Sequence, residues 1–546
     1  MDGLHQLEVI ILLLGVVLAL TTVAQRLVVP YPILLVIGGL ILGMVPGLPV
    51  IALRPDLVFL VFLPPILWAA AYFTSWREFR YNLRPISLLA VGLVVATTAA
   101  VAVVARWLLP GMGWAEAIAL GAIVSPPDAV SATAIARRLR IPRRVVTILE
   151  GESLVNDATA LILYRTAVAA AVGGNMAFGP MVFDMVFASV AGVAIGLAVG
   201  MATRWALCAT QDTFTEIAIT LLAPYVAWVL GEQAHASAVL ACVAGGLHVR
   251  QYFSEAVSPV TRIQARAVWD LLIFVLNGFI FILIGLQLGA LREAASGERL
   301  GVLVVSGAII SVTAILVRLG WVPLAALIPR WISRRIRTQD PLPAWPNLFL
   351  IGWTGMRGIV TLAAALALPL TTTAGTPLPF RAEIILISFS VILSTLVLQG
   401  LSLAPLIRAL RIQEDDRTME REEMHAREHA AAMALARLEE LATQPSVPVQ
   451  HVDRLRAHYT QRRERFSNNG AVDPECAAET VEAFRRLRHE TLTAERRTLV
   501  ALRNDGTISD DVLHRLEHEL DIEALRLGIG ERPAAESFLN LSTEHQ

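Results

Sequence analysis

Apolar runs of roughly twenty residues, the length that crosses a bilayer as a helix, recur from Leu7 to Leu410, and two of them carry an aspartate in their interior. In hydrocarbon every backbone N–H and C=O must find its partner inside the protein, so runs of this kind fold as helices. A carboxylate at that depth is costly and by default marks a functional site, usually on an ion or proton path. Asp128 stands in Ile123-Val-Ser-Pro-Pro-Asp128-Ala-Val, and Asp157 in Gly151-Glu-Ser-Leu-Val-Asn-Asp157-Ala. Each comes with further polar groups, and the first with a helix break. That combination argues for an ion site built between helices.

The expected fold class is therefore an all-α polytopic membrane protein, consistent with 55% hydrophobic residues in 546. The first apolar run, Leu7 to Ala24, has no basic flank and no small-residue cleavage site, and reads as a spanning helix, not a signal peptide. Cys208, Cys242 and Cys476 have no paired spacing, so neither a disulfide framework nor a zinc site is expected. Residues 1–411 hold 27 arginines and 19 acids, whereas 412–546 hold 18 and 27. The near-neutral total hides a basic membrane part, 1–411, and an acidic helical tail, 412–546, expected to be cytoplasmic and regulatory.

Thirteen spans are expected: 7–25, 32–48, 57–73, 85–109, 114–136, 145–171, 178–206, 213–230, 235–250, 268–289, 300–328, 348–370 and 382–410. Connections on one side carry 19 arginines and those on the other carry five. This bias places the N-terminus outside and the tail in the cytoplasm. Thirteen spans accommodate two inverted six-helix repeats plus a linking helix. Binding sites in such folds lie where broken helices meet near the midplane. Span 5 is interrupted at Ser125-Pro126-Pro127 and span 12 at Gly352-Trp-Thr-Gly355-Met-Arg357-Gly358, corresponding places in the two halves. Proline removes a donor and glycine weakens a helix, leaving carbonyls for a small cation. Phe62-Leu-Pro-Pro65 is expected to break span 3.

Ser153, Asn156 and Asp157 fall at i, i+3 and i+4 and share one helix face. Oxygen groups of this kind suit Na⁺, K⁺ or Li⁺, with protons competing for the same carboxylate. The bland reading is an interhelical hydrogen-bond network; the carboxylate pair and the break weigh against it. Arg357, an intramembrane cation, needs a partner. Glu152 is the expected one, in a structural ion pair between spans 6 and 12. Arg318 and Arg165 are left outside the site. Asn277 either lines the ion path or bonds a neighbouring helix. His425-Ala-Arg-Glu428-His429 and His514-Arg-Leu-Glu517-His518 match a metal motif by spacing. Helices crowded with Glu, Arg and His produce such matches by chance, and no third ligand is evident.

At these residues the chain resembles the cation:proton antiporter-1 family, the NhaP/NHE-type Na⁺/H⁺ exchangers, over roughly residues 5–411. Phe62-Leu-Pro-Pro65, Ser125-Pro-Pro-Asp128, Gly151-Glu-Ser-Leu-Val-Asn-Asp157-Ala and Gly355-Met-Arg-Gly358 carry the likeness. The resemblance implies a homodimer in the bacterial inner membrane and electroneutral exchange by an elevator-like movement. It gives Asp157 the ion- and proton-binding place, with Asp128 as second carboxylate and Asn156, Ser153 and the Pro127 carbonyl beside them. It makes Glu152 and Arg357 the structural pair. Pro127 stands where many members have Thr, and Ala69-Ala70-Ala71 where some have an acid, which leaves the choice between Na⁺ and K⁺ open. No cofactor, no nucleic-acid partner and no metal other than the transported cation are expected. Two other classes fit less of the chain: a membrane sensor signalling through its tail, and a membrane-embedded metallohydrolase using the tail histidines.

Overall fold

The computed structural model describes residues 3–27, 30–44, 58–128, 141–173, 178–294, 298–412, 416–443 and 449–467, with short stretches between 487 and 523. It divides into two compact units, Met1–Glu414 and Asp415–Gln546. The regular structure of the first is helical among its described residues, apart from one isolated bridge between Thr371 and Pro377. Its main helices are α1 (Gly3–Leu27), α2 (Tyr31–Gly43), α3 (Leu63–Phe73), α4 (Leu83–Leu108), α5 (Trp114–Val124), α6 (Arg143–Gly173) and α7 (Phe178–Ala209). There follow α8 (Thr213–Gln233), α9 (Ala238–Ala256), α10 (Pro259–Ala294), α11 (Glu298–Ile332), the two halves α12a (Trp345–Trp353) and α12b (Ile359–Leu366), and α13 (Arg381–Ala409). Among the described residues a helix covers part of each expected span; 45–48, 57 and 129–136 of those spans lie outside the described residues. Among the described residues six helices are long and apolar enough to cross a membrane by themselves.

Local chemistry explains where the helices start, change pitch and stop. Asp212 caps α8 by accepting from the Thr215 N–H at 2.8 Å, and Ser237 caps α9 through Leu240, each satisfying an orphan donor of a first turn. The expected break in span 3 takes a milder form. Residues Val58–Phe62 form a π-helical turn that runs directly into α3, with Pro64 and Pro65 in its first turn. Proline supplies no N–H to the preceding turn, and a wider π-helical pitch in that turn accommodates the loss, so the helix changes pitch without being interrupted. A second π-helical stretch, Leu88–Leu93, lies inside α4, and the Trp321 indole donates to the Leu88 carbonyl at 3.0 Å.

Packing places α2 against α10 at unusually close range. A β-carbon on Gly39 would collide with the Ile282 carbonyl, and one on Gly285 with the Val36 carbonyl. Small residues let backbones approach where no hydrophobic force separates helix from lipid. Phe281, Ile282, Leu35 and Val36 fill the core around this crossing. A larger core joins α3, α5, α6, α9 and α13. The broken segments lie at the boundary of these clusters.

The second unit contains a helical hairpin, α14 (Asp416–Ala442) and α15 (Val449–Ser467). The Arg456 guanidinium holds Glu439 with two bonds, 2.7 and 3.0 Å, across it. A helix expected from Asp473 to about Leu502 is seen over 491–502; its cap, Asp473-Pro474, lies outside the described residues.

Candidate ion-binding site

The end of α5 meets the interruption between α12a and α12b, and the polar face of α6 lies against the end of α5; the rest of the expected span 5, 129–136, lies outside the described residues. α5 stops at Val124, where the Ser125 hydroxyl donates back to the Ala122 carbonyl, and 126–128 leave the helix. α12a stops at Trp353 and α12b resumes at Ile359. The Asp128 N–H donates to the Met356 carbonyl at 2.6 Å, and the Arg357 Nε donates to the Val124 carbonyl at 3.0 Å. Each break therefore satisfies backbone groups that the other leaves free. The Arg357 N–H donates to the Thr395 hydroxyl of α13 at 3.2 Å, which anchors the second break from behind.

On α6, Asn156 is fully buried, and its Nδ2 donates to the Pro127 carbonyl at 3.0 Å. That bond fixes the first break to α6 and sets the height of Asp128 beside Asp157. The Asn156 Oδ1 has no hydrogen-bond partner among the described residues. Asp157 is 7% exposed. Asp128, Asp157, Ser153, Pro127 and Asn277 all line one cavity of about 290 Å³, with Gly358 on its wall. The carbonyl of Pro127 keeps a second lone pair after accepting from Asn156. Two carboxylates, a hydroxyl and a carbonyl are hard oxygen donors, the set an alkali cation prefers. A carboxylate in such a set can take a proton in the cation's place.

The ion pair differs from the expectation. Glu152 is held by Arg318 of α11, not by Arg357: Nη1 meets Oε1, and Nη2 donates to Oε2 at 2.8 Å. Arg318 Nε also donates to the Ile351 carbonyl at 3.1 Å, tying α12a into the same knot. Both side chains are 1% exposed. Arg357 lies beside this pair and spends its donors on the carbonyls of Val124 and Gly355. The reason is geometric. A planar guanidinium meets a carboxylate best edge to edge, and α11 presents Arg318 in that way, while Arg357 is turned toward the carbonyls that the breaks release. The signal for Arg318 was present in the sequence, as an arginine well inside an apolar run, but no spacing rule joins positions 166 residues apart.

The structure also brings groups to the cavity that the sequence did not single out. Glu150 lies two turns before Asp157 on α6, and Asp270 two turns before Asn277 on α10. Asn277 lines the cavity, as one of the two readings offered for it expects, and Tyr31 of α2 lies close to it. Ala69 and Ala70 line the cavity as well. Among the described residues no cluster of three metal-ligating side chains occurs. His425 and His429 are neighbours along α14, their rings tilted by 30° with centroids 6.3 Å apart.

Gly358 provides a direct test of this geometry. A β-carbon there would lie 2.5 Å from the Asp128 Oδ2 and 2.7 Å from its Cγ. Gly358→Ala is expected to push that carboxylate aside. Misplacing a functional group by about 1 Å costs on the order of 10²-fold in rate, so cation-driven proton flux should fall by about that factor in protein with an unchanged melting temperature. Flux within threefold of the parent would show that the Asp128 position is not critical.

Comparison with known proteins agrees with this architecture. Residues 10–409 match the family described as sodium/hydrogen exchanger, transmembrane. An uncharacterised Na⁺/H⁺ exchanger of Mycobacterium tuberculosis is 34% identical over 532 residues, covering 96% of this chain and 97% of that protein. The sodium, potassium, lithium and rubidium/H⁺ antiporter of Bacillus subtilis is 30% identical over 402 residues, 71% of this chain and 60% of the relative. The solved structure of the sodium proton antiporter MjNhaP1 from Methanocaldococcus jannaschii superposes with a TM-score of 0.59 at 17% identity. It covers 75% of this chain and 99% of that one, a likeness of fold.

Proposed function

Because this chain belongs to the sodium/hydrogen exchanger family, a family of membrane transporters and not of enzymes, we propose that it moves a monovalent cation and a proton in opposite directions through one carboxylate site. The observation that carries this reading is the shared cavity of Asp128 and Asp157 where the end of α5 meets the break between α12a and α12b. Asp157 binds either the cation or a proton. Asp128, Ser153 and the Pro127 carbonyl complete the cation's oxygen shell, and Asn156 holds the break that positions Asp128. Glu152 and Arg318 hold the helices that carry the site. Alternating exposure of one such site couples the two fluxes with no further machinery, because the occupants exclude one another. The proton gradient of a bacterial inner membrane then drives cation out and protons in, a contribution to pH homeostasis. The protein works as a homodimer, N-terminus outside, with its acidic tail in the cytoplasm as a regulatory arm.

The transported cation is an alkali ion. Na⁺ is our first choice, and the Bacillus subtilis relative, whose name includes potassium, lithium and rubidium, makes K⁺, Li⁺ and Rb⁺ the others to test. The test is cation-induced release of protons from proteoliposomes, scanned over these ions, for the whole chain and for a chain ending at residue 411. Both should exchange, and an inactive but correctly inserted short form would make the tail part of the mechanism.

Exchange is expected to be electroneutral. In the Asn156-Asp157 pair only the aspartate titrates, and Asp128 keeps one charge state through the cycle. A membrane potential set with valinomycin should then leave Na⁺/H⁺ exchange unchanged. A rate that rises or falls with the imposed potential would count against one cation per proton.

A further inference from the structure

The cavity has a mouth with chemistry of its own. Among the described residues four carboxylates line it (Asp128, Glu150, Asp157 and Asp270) and no arginine does. Asp270 is the most accessible described so far, its side chain 62% exposed against 7% for Asp157 as a residue. It lies toward the N-terminal end of α10, after Arg262 and Arg266, the end that the arginine bias assigns to the cytoplasm. Asp270, Ile273 and Asn277 follow each other along one face of α10 and line the cavity. Seven residues of helix span about 10 Å, so Asp270 marks the start of a path that ends at Asn277 and the two site aspartates.

Arg266 stands at the same rim. Its Nε is 3.7 Å from the Asp270 Oδ2, an ion pair too long for a hydrogen bond. Its guanidinium lies 5.7 Å from the centre of the Phe73 ring, and Phe73 lines the cavity. Arg266 is 71% exposed and is held loosely between a carboxylate and an aromatic face. A mobile cation arriving from water can take its place beside Asp270.

On the antiport reading given above, we propose that Asp270 recruits the cytoplasmic cation to the cavity and that Arg266 is a tethered competitor for the same carboxylate. Together they set the concentration at which the transporter half-saturates, without holding the ion during transport. Low-dielectric walls of one sign of charge concentrate counter-ions in a cleft. The side chains are exposed, so the effect is modest and sensitive to salt.

The test uses full-length protein in proteoliposomes, with the half-saturating Na⁺ concentration measured at the cytoplasmic face. At about 0.01 M ionic strength, where the Debye length is ~30 Å, Asp270→Asn should raise that concentration about two- to fivefold. Those factors follow from the roughly 0.4 to 1 kcal/mol of an exposed charge interaction. Arg266→Gln should lower it by a similar factor, and the double variant should behave like Asp270→Asn. Maximal rates and melting temperatures should stay at the parent's values. In about 1 M choline chloride, where the Debye length is ~3 Å, all four proteins should converge. Shifts of the same sign in both single variants, shifts that survive high salt, or no shift at low salt would each overturn the proposal while leaving antiport standing. A parent protein that moves no protons on cation addition would remove the antiport reading and this one with it.

Discussion

Asp157→Asn should reduce cation-driven proton exchange to the level of protein-free liposomes while leaving the protein inserted and folded. Asparagine is nearly the same size, and the residue is 7% exposed with no salt bridge among the described residues, so packing changes little. The chemistry changes completely. A carboxylate accepts either a proton or a cation; an amide accepts no proton near neutral pH and offers a cation no net charge. Both arms of the exchange are lost together, which separates this variant from one that merely weakens cation affinity. The measurement is dissipation of an imposed pH gradient on adding Na⁺, K⁺ or Li⁺, alongside melting temperature and elution profile in detergent. Parent-like dissipation by the variant would mean that the exchanging carboxylate lies elsewhere, with Asp128 the next to examine.

The second large effect is on stability. Arg318→Gln should destabilise the membrane unit by about 3–5 kcal/mol, the usual cost of breaking a buried ion pair by removing one partner. Glu152 is 1% exposed, and both its oxygens are taken by Arg318, so the variant leaves an uncompensated charge in the interior. Arg357→Gln removes donors from carbonyls, not from a carboxylate. Its cost should be nearer the ~1–3 kcal/mol of an unsatisfied neutral group. The double variant Glu152→Gln/Arg318→Gln should recover part of the loss, because no buried charge is then left alone. Thermal unfolding in detergent gives the order: Arg318→Gln lowest, the double variant and Arg357→Gln above it. Equal or greater loss in Arg357→Gln, with no recovery in the double variant, would restore Arg357 as the partner of Glu152.

That contrast shows how far a sequence reaches in a protein of this kind. Much of what depends on neighbours along one helix was legible. Ser153, Asn156 and Asp157 share a face because helical geometry repeats every 3.6 residues, and the structure places Ser153 and Asp157 on one cavity. The breaks at Pro126-Pro127 and at Gly355–Gly358 were legible because proline lacks a donor and glycine tolerates bends wherever they occur. The π-helical turn before Pro64 was not, since the same prolines fit a first helical turn without interrupting it. Nor was the partner of Glu152. Apolar helix surfaces in a membrane pack without strong directional preference, so which arginine meets which carboxylate is decided by where whole helices settle. The same holds for Asp270 and Glu150, which nothing in the sequence joins to the site until α6 and α10 are set around one cavity. The sequence by itself determined where the helices run, two of their breaks and the choice of Asp157 as the carboxylate proposed to carry the exchange. The tertiary structure alone decided which charges face each other, because hydrogen bonds and ion pairs act over a few ångströms and the chain brings those positions together only by folding.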